Sequence, residues 1–219
     1  MLNYAHYWIA TWKFELFTGI IEAVGTISQI HPGKEKGQGG LSLTISTQRL
    51  DLGDVMPGDS IAVNGVCLTV TALANDSFAV DVSEETLHCT SGLDQPAACV
   101  NLEKAMRLSD RLGGHLVSGH VDAVGVVAKV EHTGECVELI IRAPQSVARY
   151  LAHKGSVTVN GVSLTINKII GNEFAINLIP HTLAMTNLQA LSPGMRVNLE
   201  TDMLARYVAR LLNLEDSQD

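Results

Sequence analysis

Features that would classify this chain at a glance are scarce. Its four cysteines, Cys67, Cys89, Cys99 and Cys136, stand singly, with no CxxC pair. That spacing gives no support to a zinc site or a disulfide framework, and it fits a reducing, cytoplasmic setting. Positive charge is also short, with 15 Lys and Arg against 23 Asp and Glu and a net charge of −8. A nucleic-acid binder would need a basic face, so that class is excluded. No apolar run approaches the ~20 residues of a membrane-crossing helix. What remains, with 46% hydrophobic residues and scattered charge, is the composition of a soluble globular protein.

The informative feature is a repeat. Residues 63–70 read VNGVCLTV, and residues 159–166 read VNGVSLTI. Phe17-Thr18-Gly19-Ile20-Ile21 is echoed by Val117-Ser118-Gly119-His120-Val121. Ser77–Val82 is echoed by Glu173–Leu178, Glu85-Thr86-Leu87 by His181-Thr182-Leu183, and Val100–Glu103 by Val197–Glu200. The order is the same in both halves, as expected of a tandem duplication of a unit of about a hundred residues. That period is too long for a solenoid and long enough for each half to close its own core. The reading divides the chain into an extension (1–16), a first barrel (17–112), a second barrel (113–201) and a C-terminal helix and tail (202–219).

Period-two alternation predicts strands at Leu41–Ser46, Ser60–Val63, Cys67–Thr71 and Phe78–Val82. Turn residues separate them at Pro32-Gly33, Gly37–Gly40, Pro57-Gly58-Asp59, Asn64-Gly65 and Asn75-Asp76. Asn64-Gly65 and Asn160-Gly161 carry the strongest short hairpin signal. Many short strands with regular turns predict two small closed barrels in tandem. Helix is expected in two places, Glu103–Leu112 and about Asp202–Asn213. In the latter, Met203, Leu204, Tyr207, Val208, Leu211 and Leu212 form an apolar stripe. That stripe packs either on the barrels or on copies of itself. Residues 1–14 hold both tryptophans and make a poor signal peptide. They read as an accessory segment or an upstream start, or else as an aromatic flap.

Alternation puts Cys67 and Thr69 on one face of their strand and Leu68 and Val70 on the other. Ser163 and Thr165 stand likewise opposite Leu164 and Ile166. A small hydroxyl-bearing face is ordinarily just solvated, but its recurrence beside an Asn-Gly turn in both halves suggests a pocket edge. Hydroxyls donate and accept, which suits a heterocycle rim. The halves differ at Ile20 against His120, Cys67 against Ser163, Asp81 against Asn177, and Glu85 against His181. The His115-x4-His120 spacing fits no metal pattern, so a metal role for these histidines is weak.

FTGI, NGVCLTV, GGHLVSGH and NGVSLT, in that order within a duplicated chain, resemble riboflavin synthase of the alpha-chain type over about Phe17–Leu212. The resemblance implies an all-β fold of two six-stranded Greek-key barrels with a C-terminal helix, assembled as a homotrimer. It implies dismutation of two 6,7-dimethyl-8-ribityllumazine molecules by four-carbon transfer, yielding riboflavin and 5-amino-6-(ribitylamino)uracil, without cofactor or metal. Each barrel would bind one lumazine, and the first barrel of one chain would face the second barrel of another. Lumazine synthase is a candidate partner.

Carried over by motif, the first pocket takes Gly19, Ile20, Ile21, Cys67, Leu68, Thr69, Asp81, Val82, Ser83, Glu84, Glu85 and Thr86. The second takes Gly119, His120, Val121, Ser163, Leu164, Thr165, Asn177, Leu178, Ile179, Pro180, His181 and Thr182. Lys154 would reach a ligand shared with another chain. His120, Cys67, Ser163 and Thr165 are the expected catalytic groups. The chain departs from the family at its extension, with Leu16 where the family has its first methionine, and at Asn160, where some members carry Asp. Two rivals stand beside this reading. One is an antenna-type protein that holds a lumazine or flavin without catalysis, and the other is a barrel with no ligand.

Overall fold

The computed structural model describes residues 15–33 and 39–212. The aromatic segment 1–14, part of the Gly37–Gly40 turn and the tail from 213 lie outside the described residues. The first half forms β1 (Ala23–Pro32), β2 (Leu41–Ser46), β3 (Ser60–Val63), β4 (Val66–Leu73), β5 (Ser77–Val82) and β6 (Cys99–Lys104), with helix α1 (Glu84–Cys89) between the last two. The second forms β7 (Ala123–Thr133), β8 (Cys136–Arg142), β9 (Ser156–Val159), β10 (Val162–Ile170), β11 (Glu173–Leu178) and β12 (Arg196–Thr201). Helices α2 (Gln145–Ala148), α3 (Pro180–Met185) and α4 (Met203–Leu211) belong to this half.

Each half is a closed six-stranded antiparallel barrel. The first runs β1-β2-β5-β4-β3-β6 and the second β10-β11-β8-β7-β12-β9, each returning on itself. Non-consecutive neighbours such as β2 with β5 and β8 with β11 give the Greek-key path. Closure removes the sheet edges that would otherwise invite association. Inward positions fill each barrel with its own core: Ile27, Leu43, Ile61, Val70 and Phe78 in one, and Val127, Leu139, Val157, Ile166 and Phe174 in the other. Each such side chain, fully buried, contributes about 1.5–3 kcal/mol.

The duplication extends to irregularities that composition cannot show. β1 and β7 shift register at Ile27/Gln29 and Val127/Lys129, while β4 and β10 shift at Val70/Ala72 and Ile166/Lys168. Both Asn-Gly turns have positive φ at each residue, 49° and 79° in one, 49° and 82° in the other, as a hairpin of this hand requires. The two turns also meet: a Cβ on Gly65 would lie 2.7 Å from the Gly161 backbone nitrogen.

One expected helix is absent. Glu103 and Lys104 belong to β6, which closes the barrel between β1 and β3, and residues 105–112 follow as irregular chain with one turn at 108–109. There Asp110 Oδ2 accepts from the Arg107 backbone N–H, a side-chain bond that competes with helix. The helices α1 and α3 escaped prediction because six residues are too few to show a period; Ser83 caps the first by accepting from Thr86 N–H. The C-terminal helix forms where its stripe predicts, with Asp202 as its N-cap. Only Ala209 is buried on it, and Leu204, Tyr207, Val208 and Leu211 are exposed.

Candidate active site

The two barrels are joined by their leading segments, which cross. Phe17 and Val117 pair as an antiparallel bridge, N–H to O at 2.8 and 3.0 Å. Beyond it each segment runs onto the opposite barrel. Ser163 N–H donates to Gly19 O at 2.8 Å, and Cys67 N–H donates to Gly119 O at 2.8 Å. Ile21 packs on the second core and Val121 on the first. This corrects the grouping expected from sequence: Gly19, Ile20 and Ile21 stand beside Ser163, and Gly119, His120 and Val121 beside Cys67. Chain order suggested the reverse, because the crossing rests on bonds remote in sequence. Glycine is required at both crossings. Each has φ of 75°, and a Cβ at either would fall 2.6 Å from the Cβ of Ser163 or Cys67.

Two buried carboxylates hold the crossing. Glu103 accepts from Thr18 N–H and Oγ1–H, both at 2.7 Å, and from Gly19 N–H at 3.0 Å. Glu200 accepts from Ser118 N–H at 2.7 Å, its hydroxyl at 2.6 Å, and Gly119 N–H at 3.0 Å. Burial pushes the Glu103 carboxyl up to about 7 against those bonds, and pushes Glu200 upward for the same reason. Four asparagines complete the seam. Asn101 donates to Asn160 O at 2.9 Å and Asn198 to Asn64 O at 3.0 Å. Asn64 and Asn160 in turn accept from the backbones of Asn101 and Asn198. Asn160 therefore has a structural place, and an acid there is not required.

The polar faces fall as the alternation predicts. Leu68 and Val70 are buried, Cys67 is half-buried and Thr69 exposed; Ser163 and Thr165 repeat the pattern. Val70 pairs with Val80, so Thr69 and Asp81 stand next along the two strands; Ile166 with Ile176 does the same for Thr165 and Asn177. The segments Val82–Thr86 and Leu178–Thr182 follow at the starts of α1 and α3. Ile20 and His120, just past the crossing glycines, are exposed. A cleft of about 530 Å³ flanks Ile20, and one of about 480 Å³ is lined by Ser118, His120, Met203, Arg206, Tyr207 and Arg210. Neither cleft is lined by Cys67, Thr69, Ser163 or Thr165. Lys154 lies on the surface at positive φ, its Nζ donating to Asn167 Oδ1 at 3.1 Å, and the fold brings it to neither crossing. No group of His, Cys, Asp and Glu able to hold a metal occurs among the described residues.

Two further residues meet the polar faces. His115 is 8% exposed, its Nδ1 2.7 Å from Ser163 Oγ, and its Nε2 is buried without a partner. Glu15 Oε2 accepts from Ser60 Oγ and lies 3.7 Å from Cys67 Sγ. Sequence reasoning had weighed His115 only as a metal ligand. The signal that finds it is its place in the repeat, where it answers Glu15.

The chain is similar to known proteins along nearly its whole length. The lumazine binding domain matches twice, at residues 18–105 and 118–202. The riboflavin synthase of Photobacterium phosphoreum is 47% identical over 205 residues, covering 93% of this chain and 92% of its own. That of Bacillus subtilis is 43% identical over 199 residues, covering 90% of each. Among solved structures, LumP in complex with 6,7-dimethyl-8-(1'-D-ribityl)lumazine aligns with a TM-score of 0.73 at 25% identity, covering 84% of this chain and 98% of that one. LumP with riboflavin aligns at 0.76 and 26%, with the same coverage.

Proposed function

The chain belongs to the riboflavin synthase family, and from that footing we propose how its two barrels share the family's reaction. The reaction is a transfer: two 6,7-dimethyl-8-ribityllumazine molecules exchange a four-carbon unit, and riboflavin and 5-amino-6-(ribitylamino)uracil result. Two identical substrates call for two like pockets, and the crossing supplies them. Each pocket combines one barrel's polar strand pair, Cys67-Thr69 or Ser163-Thr165, with the other half's leading segment. This exchange is the observation that supports the reading, since each polar strand pair is bonded to the other half's leading segment.

One lumazine sits on each polar face, bounded by Asp81–Thr86 or by Asn177–Thr182. Holding two rings in register relieves the reaction of a bimolecular encounter, an effect worth up to about 7–11 kcal/mol in favourable geometry. The exposed apolar stripe of α4 favours association through that helix, because a single chain leaves it uncovered. We place three copies around it, so that the first barrel of one chain faces the second barrel of the next and Lys154 reaches across. Four unpaired thiols suit a cytoplasmic setting.

The antenna reading is the rival, and the intact second polar face with Ser163 and Thr165 weighs against it. Incubation with the lumazine decides between them. The expected result is growth of riboflavin absorbance with one riboflavin per two lumazines consumed; tight binding without turnover would establish the antenna instead.

A further inference from the structure

The bridge between Phe17 and Val117 fixes which residues of the two halves correspond. Two positions before it stand Glu15 and His115. Each touches the strand residue that differs between the pockets: Glu15 touches Cys67, and His115 touches Ser163. Accepting the lumazine reading above, we propose that His115 is a positioning residue that holds and exchanges the Ser163 hydroxyl proton, whereas Glu15 fixes Cys67 as a hydrogen-bond donor, so that only the second pocket removes a proton from its lumazine.

The chemistry follows from the surroundings. His115 is buried, which pushes its ring below the ordinary imidazole value and keeps it neutral. A neutral ring has one acceptor nitrogen. With the hydroxyl donating to Nδ1, the Ser163 oxygen keeps its lone pairs for the ligand and Nε2 carries the ring proton. When the lumazine C7 methyl yields its proton, its C–H bond breaks and a new Oγ–H forms. The former hydroxyl proton passes to Nδ1, the electron pair stays on the lumazine ring, and the imidazolium is stabilised by the charge of Asp202. Reversal returns both protons.

The first pocket offers no such route. Cys67 faces Ser60, the Glu15 carboxylate and the charge of Glu200, and burial together with those negative groups raises its thiol. A protonated sulfur there donates but removes nothing.

The test uses the full chain. His115→Asn retains a hydrogen-bonding group beside Ser163 but no base. We expect kcat to fall about 100-fold, as for loss of a general base, with KM within about 3-fold and the acid limb of the kcat profile gone. Combining it with Ser163→Ala should add less than about 3-fold, since the two act as a unit. Glu15→Gln should move the pH midpoint of Cys67 alkylation by iodoacetamide downward. An unchanged acid limb, a fully additive double variant, or an unmoved alkylation midpoint would each overturn the proposal. Two readouts need no turnover: the alkylation midpoint, and the His115 titration followed by NMR, which should lie below the ordinary imidazole value. A wild-type protein that binds lumazine without forming riboflavin would defeat the functional reading and leave those two measurements to decide this one.

Discussion

The two barrels agree where they are joined and differ along their polar faces. Both have the same strand order, the same two bulges, the same Asn-Gly turn, the same crossing glycine and the same buried glutamate. They differ at Cys67 and Ser163, Glu15 and His115, Asp81 and Asn177, and in the chain that leaves each last strand. After β6 that chain is irregular over 105–112, with one turn at 108–109; after β12 it makes α4. The seam is tied across both halves by the same bonds in each direction, Asn101 to Asn160 and Asn198 to Asn64.

The comparison can be broken at three depths. Truncation before Met203 should have the largest effect. It removes α4, which has no counterpart in the first half, and the expected outcome is a smaller particle by light scattering with turnover reduced below about 1% of the intact chain. A fully active monomer would show that each chain holds a complete site. Next, Glu103→Ala and Glu200→Ala should each cost about 3 kcal/mol, because three donors lose a charged acceptor in a buried place. Denaturant midpoints measure this, and unequal losses would mean that one half leads the seam.

The smallest effect is in pH. Glu103 titrates near 7 when folded and near 4.5 in a model peptide, so the folded state holds an extra proton between those values. Stability from this group is full below about 4.5 and falls as pH rises from there through 7, by about 2.5 kcal/mol between pH 5 and 8, with Glu200 acting in the same direction. Urea midpoints between pH 5 and 8 give the slope, and Glu103→Ala should flatten it.

Much of this architecture could be read in the chain. Alternation marked Leu41–Ser46 and Phe78–Val82 because each has one face in a core, and Asn64-Gly65 marked its hairpin because few other pairs accept two positive φ angles. The stripe on α4 was visible because nine residues cover more than two turns. The Glu103–Leu112 helix was misread, since barrel closure claims Glu103 and outweighs local propensity. The exchange of Gly19 and Gly119 between pockets left no local trace: hydrogen bonds between distant residues impose no period. His115 was on the page, but its meaning depends on Ser163 lying beside it, which only the fold supplies.

The crossing also dictates an order of events during synthesis. The segment around Gly19 leaves the ribosome early, yet its partner Ser163 is made about 140 residues later, roughly 10–30 s at ordinary elongation rates. The first barrel has all its strands by Lys104 and can close on its own core in that interval. Its leading segment can already bond to Glu103, but the Gly19 carbonyl must wait for the N–H of Ser163. The second pocket, the first to have its edge translated, is thus among the last parts of the molecule to be finished.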